Sequence, residues 1–187
     1  MNGRMFTFVA GHRGPWRIER VNVVAGEPLP PATHIDIVNE LLPDLPESAS
    51  WFVRGVTSNE RYVTRDERAS LRANQPALGR ADALCAALIP IRKSAAWWDL
   101  AQDQRRALLE EQSAHIRIGM EYLPAVARRL HHSRDLGEPF DFVTWFEFSP
   151  EHATSFDRLV GRLRASAEWT YVDREVDIRL VREIPVG

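Results

Sequence analysis

His115, Arg128, Lys93 and Glu168 are the side chains of this 187-residue chain whose types and spacing could do chemistry. His115 lies in "SAHIRIGMEYLPAVARRLHH" (113–132), within an amphipathic helical pattern. A neutral imidazole can ligate a metal through either ring nitrogen, although a lone histidine on a helix face is more often packed or solvated. Ala114 and Gly119 leave little bulk on its side of the helix, so a flat group could approach closely. Arg128 offers a permanent cation that can donate paired hydrogen bonds to an oxyanion. Beside Arg129 and near His131 and His132, it also reads as the solvated basic end of a helix.

Whether these two residues can share a site is a matter of geometry. Thirteen residues of unbroken helix rotate by about 220° and rise by about 20 Å, which points the two side chains almost oppositely. A common site therefore needs a change of direction, which Pro124 can supply, and it suits a wide planar object better than one small ion. Lys93 stands one helical turn before the adjacent Trp97 and Trp98 in "RKSAAWWDL" (92–100). That is either a core corner with a snorkelling lysine or an apolar wall with one cation for a ligand carboxylate. Glu168, in "AEWTYVDRE" (167–175), must be exposed or hydrogen-bonded, because an unpaired buried carboxylate is costly.

Other chemistries are excluded or weak. His115, His131 and His132 are not completed by a cysteine or carboxylate into a zinc set. The single Cys85, in "ADALCAALIPI", reads as a small buried hydrophobe, and without CxxCH there is no covalently attached haem. With 24 basic and 26 acidic residues the net charge is −2, so nucleic acid and anionic membrane are not expected partners. The N-terminal "MNGRMFTFVAGHRG" holds only about six consecutive apolar residues, too few for a signal sequence or membrane span. The cytoplasm is the expected location.

These residues need elements to hold them. "MFTFVA" and "WRIERVNVV" read as strands around a Gly-His-Arg-Gly-Pro turn, "WFVRGVTS" (51–58) as a strand and "TRDERASLRANQPALG" as a short helix; "HIDIVNELLPDLPES" is ambiguous. "ALCAALIPIRKS" fits a buried strand. A helix follows from "WWDLAQDQRRALLEEQ", with Asp99 and Gln102 at capping-box spacing. It runs on so that Leu108, Ile118 and Tyr122 share a face with His115. "FDFVTWFEF" (140–148) is an aromatic strand with Phe140, Phe142, Phe146 and Phe148 on one face and Val143 and Trp145 on the other. Ser149 and Pro150 open a helix with a Phe156, Leu159, Val160 and Leu163 stripe. The last strand, "REVDIRLVRE", turns Val176, Ile178 and Leu180 inward. The order predicts an α+β fold of antiparallel sheet with helices on one face, of ferredoxin-like plan, whose sheets can close into a β-barrel. The expected division is a truncated N-terminal half over 1–79 and a full C-terminal half over 80–187.

The stretches "ALIPIRKSAAWWDL", "AHIRIGMEYLPAVARRL", "GEPFDFVTWFEFSPEHATSFDRLV" and "AEWTYVDREVDIRL" resemble the chlorite dismutases, in particular their short dimeric branch, over about residues 50 to 182. The resemblance implies a dimeric α+β barrel, a homodimer, and haem b as cofactor. It implies that His115 is the proximal iron ligand and that Glu168 accepts a hydrogen bond from the ring's other nitrogen. Lys93 and Tyr62 are implied as propionate-side contacts, Trp97 and Trp98 as residues around the haem, and Arg128 as the single distal polar residue. The implied reaction is conversion of chlorite to chloride and dioxygen with O–O bond formation at ferric haem. Rivals are a coprohaem decarboxylase of the same superfamily, whose known members carry a different residue where Arg128 stands, a haem-binding sensor or carrier without turnover, and a haem-free interaction module.

Overall fold

Aromatic and β-branched residues set the strands. Alternation in the stretch after Asp141 forms β7 (Phe142–Phe148), and that before Arg182 forms β8 (Val172–Arg182). With β1 (Met5–Gly11), β2 (Trp16–Ala25), β3 (His34–Val38), β4 (Ala49–Thr57), β5 (Cys85–Lys93) and β6 (Val126–His132) they make a closed barrel. This computed structural model describes residues 3–58 and 63–183, with only the backbone for Arg72. Around the barrel the order is β1-β3-β2-β8-β5-β7-β6-β4, and every neighbouring pair is antiparallel. The first four strands fill one arc and the last four the other. Each arc has the 4-1-3-2 order of a ferredoxin-like sheet, and the expected α+β barrel is what forms.

The ambiguous segment after Thr33 is β3, an edge-to-edge bridge between β1 and the start of β2. The chain crosses it within four residues, and Gly14 makes this possible. Its φ is +152°, and a Cβ there would stand 2.6 Å from the Ile35 carbonyl oxygen.

The two faces of the barrel wall carry separate cores. Inside, Phe8, Trp16, Trp51, Leu88, Trp145 and Ile178 pack together. Trp145 meets Trp16 edge-on at 5.2 Å and donates its N–H to Glu147 at 2.8 Å, so its polar atom is satisfied as its ring is buried. Outside, Ile89, Ile91, Phe146 and Phe148 meet helices α4 (His115–Glu121) and α5 (Ala153–Arg164). The expected α5 stripe of Phe156, Leu159, Val160 and Leu163 is buried there in full. Phe140 departs from the expected grouping: it precedes β7 and packs into the barrel interior, while Phe146 and Phe148 face outward.

The expected long helix after Lys93 is broken instead. α2 (Ala95–Asp99) ends at Asp99, and α3 (Gln102–Arg106) starts where the Gln104 side chain accepts from the Ala101 N–H at 2.8 Å. Asp99 and Gln102 thus form no capping box. A π-helical turn follows (Ala107–Gln112), and Ala114 takes a left-handed φ of 51° before α4 begins at His115. Leu108 is therefore on a different segment from His115. The cap that does form is on α1 (Arg65–Asn74), where Thr64 and Glu67 satisfy one another's N–H groups. Arg106 then clasps Glu67 at 2.8 and 2.9 Å, tying α1 to α3.

Candidate active site

A cavity of about 480 Å³ lies outside the barrel, between the outer face of β5, β6 and β7 and helices α1, α4 and α5. Strand alternation decides which residues reach it: Ile89, Ile91 and Lys93 from β5, Arg128, Leu130 and His132 from β6, and Phe142, Thr144 and Phe146 from β7. His115 and Gly119 contribute from α4, and Glu168 and Trp169 from the turn of 3₁₀ helix Ala167–Tyr171.

His115 opens α4 because the left-handed Ala114 breaks the preceding turn and re-aims the chain. Its Nδ1 lies 2.6 Å from Glu168 Oε2. Among the described residues Nε2 has no hydrogen-bond partner, in a ring that lines the cavity. Glu168 is only 4% exposed. Burial alone pushes its carboxyl up, but His115 and Lys93 outweigh that and hold it at about 2. The Glu168 backbone N–H donates to Ser113 Oγ at 2.9 Å, which fixes the turn against the segment before α4.

Lys93 is where the structure and the propionate expectation part. Its Nζ donates to Glu168 Oε1 at 2.8 Å with the side chain 3% exposed, and it lies 4.6 Å above the Trp97 ring and 5.4 Å above Trp169. The ammonium is committed to the carboxylate beneath His115, making a His–Glu–Lys chain. Trp97 is buried against Tyr171, with an indole N–H that finds no partner among the described residues. Trp98 does not reach the cavity lining; it donates to Asp141 at 3.2 Å and stacks on Phe142, with the Arg134 guanidinium 3.8 Å over its ring. Tyr62 lies outside the described residues.

Arg128 departs most from its expected element. It sits on β6, not at a helix end, since the chain turns after Tyr122 and returns as a strand beside β7. The change of direction near Pro124 brings Arg128 into the same cavity as His115. It is half-buried and lines the cavity. Enclosure by protein lowers its pKa to about 10, and among the described residues no carboxylate is in ion-pair range. Nη1 donates to the Gly119 carbonyl at 2.8 Å, while Gln75 Nε2 donates to the Arg128 carbonyl at 2.8 Å.

Two functional neighbours escaped the sequence reading. Trp169 lies nearly parallel to the His115 ring, 6.3 Å away at 19°, and donates to the buried Glu175 at 2.7 Å. Its place next to Glu168 was the available signal. Gln75 acts on a backbone carbonyl 53 residues away, for which no sequence pattern exists.

Together the barrel and this cavity define an α+β barrel protein with a candidate ligand site outside its barrel, where His115 is turned to a carboxylate and the Arg128 guanidinium has no counter-charge among the described residues. The sequence profile of the family described as Chlorite dismutase matches residues 46–183, and the chain belongs to that family. It is similar to a dimeric chlorite dismutase from Nitrobacter winogradskyi, with 54% identity over 95% of this chain and 99% of that one and a TM-score of 0.88. A chlorite dismutase from Candidatus Nitrospira defluvii in complex with imidazole shares the fold at 21% identity, covering 96% of this chain and 91% of that one, with a TM-score of 0.68. The curated chlorite dismutase of Ideonella dechloratans is 35% identical over 95 residues, half of this chain but only 32% of that protein's length. No helix among the described residues is long and apolar enough to cross a membrane.

Proposed function

We propose that the protein is a haem b enzyme that converts chlorite to chloride and dioxygen, working as a homodimer in the cytoplasm. The observation that carries the reading is His115, with Nδ1 tied to a buried, ionised Glu168 and Nε2 unpartnered in the cavity wall. The donor set fits a haem: one imidazole whose Nδ1 is turned to a carboxylate, a largely apolar cavity of about 480 Å³, and a cation facing it. Family membership and the dimeric Nitrobacter relative support the same reading.

A bound haem would supply the iron chemistry for cleaving the O–Cl bond and making the O–O bond. The chain's own residues supply the rest. His115 would hold the iron through Nε2, while Glu168 would draw on Nδ1–H and give the ring imidazolate character. Lys93 keeps Glu168 ionised, so that the carboxylate remains an acceptor. Ile91, Phe146, Trp97 and Trp169 exclude water around the ring.

Arg128 would hold the small oxyanion in the cavity by charge-assisted hydrogen bonds. No general base is required, because chlorite arrives deprotonated and its atoms balance as one chloride and one dioxygen. The discriminating test is an oxygen electrode with chlorite and the haem-loaded protein. The expected yield is close to one dioxygen per chlorite; haem uptake without oxygen would leave a sensor or carrier. Arg128→Ala should keep the haem but lose roughly 10–10²-fold in turnover, the worth of hydrogen bonds to a charged group. An unchanged rate and total turnover would remove Arg128 from the reaction.

A further inference from the structure

We infer that Arg128 and Gly119 form a strut across the cavity, which has to open before a flat cofactor can settle on His115. The inference rests on the haem reading above. β6 and α4 both line the cavity, and the Arg128 side chain reaches from the one to the other. Its Nη1 reaches the Gly119 carbonyl, an acceptor that the end of α4 uses weakly, through a Tyr122 N–H at 3.4 Å. The approach needs a glycine. A Cβ on residue 119 would stand 2.5 Å from Nη1 and 2.6 Å from Cζ of Arg128.

Residues 115 and 119 share one face of α4, about one 5.4 Å turn apart. A porphyrin with its substituents is wider than that turn, so one held at His115 would cover the strip of α4 on which the guanidinium rests. The strut and the cofactor therefore compete for the same space. The strut is also built to be exchanged. It joins an enclosed guanidinium to a neutral carbonyl, a weaker partner than an anion. The Gln75 hydrogen bond to the Arg128 carbonyl meanwhile anchors the backbone of β6, so the side chain can move alone. Gly119 is thus a positioning residue for Arg128, whose guanidinium would be released for an anion once the strut opens.

The test is a two-by-two comparison of haem association, followed by stopped-flow growth of the Soret band after haem is mixed with chain purified haem-free. The four chains are the wild type, Arg128→Met, Gly119→Ala and the double variant. Alanine favours helix over glycine, and the atoms its methyl would meet are the mobile end of Arg128, so Gly119→Ala should fold. With Gly119 in place, Arg128→Met should associate about tenfold faster or more, the scale of one hydrogen bond to a charged group. With Gly119→Ala the strut is already broken, and exchanging Arg128 for Met should leave the rate unchanged. Equal acceleration in both backgrounds, or none in either, overturns the strut. So does a Gly119→Ala chain that takes up no haem with either residue at 128, because the methyl would then act on the cofactor. A wild type that develops no Soret band sinks the haem reading itself, a result distinct from bands that grow at equal rates.

Discussion

Two histidines on opposite sides of the barrel wall face opposite problems. His131 points into the barrel, is 1% exposed, and lies edge-on to Phe6 and Phe8 at 5.1 Å from each. Its Nδ1 meets the Val143 carbonyl at 3.1 Å, and its Nε2 has no partner among the described residues. Burial holds its pKa down at about 4, with Arg129 and His132 adding repulsion, so it is neutral at pH 7. His115, outside the wall, also leaves Nε2 unpartnered, but its Nδ1 meets a carboxylate that is itself held ionised by Lys93. The difference teaches that burial alone does not prepare an imidazole for ligation. What prepares it is an anion on the far nitrogen and open space before the near one.

The largest expected effect separates the two at once. His115→Ala should abolish the five-coordinate ferric haem spectrum, whereas His131→Leu should leave it intact; the visible spectrum of each loaded variant reads this directly, and a spectrum lost in both would erase the contrast. The next effect belongs to His131. Its pKa is lower in the folded chain, about 4 against 6.5, so the unfolded chain binds the extra proton between those values. Stability should therefore fall by about 3 kcal/mol as pH drops from 6.5 to 4. Urea melts across that range should show the slope flattened in His131→Leu.

Glu168→Gln follows, with an expected loss of about 10–100-fold in haem affinity, typical when a ligand's orienting partner is removed. It carries its own acid signature. The Glu168 carboxyl is depressed from 4.5 to about 2, so its contribution to stability is present above the upper value and lost as pH falls towards the lower one. Acid unfolding between those limits should soften in Glu168→Gln but not in His131→Leu, which places the two titrations on opposite sides of the wall.

Legibility followed the strength of local pattern. β8 and α5 were readable because a strand with one face in the barrel alternates strictly, and a helix on a sheet carries a continuous stripe. β6 was not, because "VARRLHH" places cations and histidines on both of its faces. Arg128 and His132 line the outer cavity, while His131 fills the barrel. The segment before His115 misled for another reason. Ala114 has no local feature that forecasts a left-handed backbone; it packs against the outer core, and its neighbour Ser113 is tied to the Glu168 turn.

By itself the sequence determined the strand-rich α+β class, the outward and inward faces of the clearest elements, and, through its resemblance, the small set of residues around which a site would form. Tertiary structure decided how they meet. It committed Lys93 to Glu168, left Trp98 outside the cavity lining, and brought Arg128 across from a strand to the helix that carries His115. The reason is physical: alternation and helical stripes are local and written in residue order. Whether a charge finds a partner depends on which residues the closed barrel brings together, Lys93 and Glu168 from 75 positions apart and Arg128 and Gly119 from only nine.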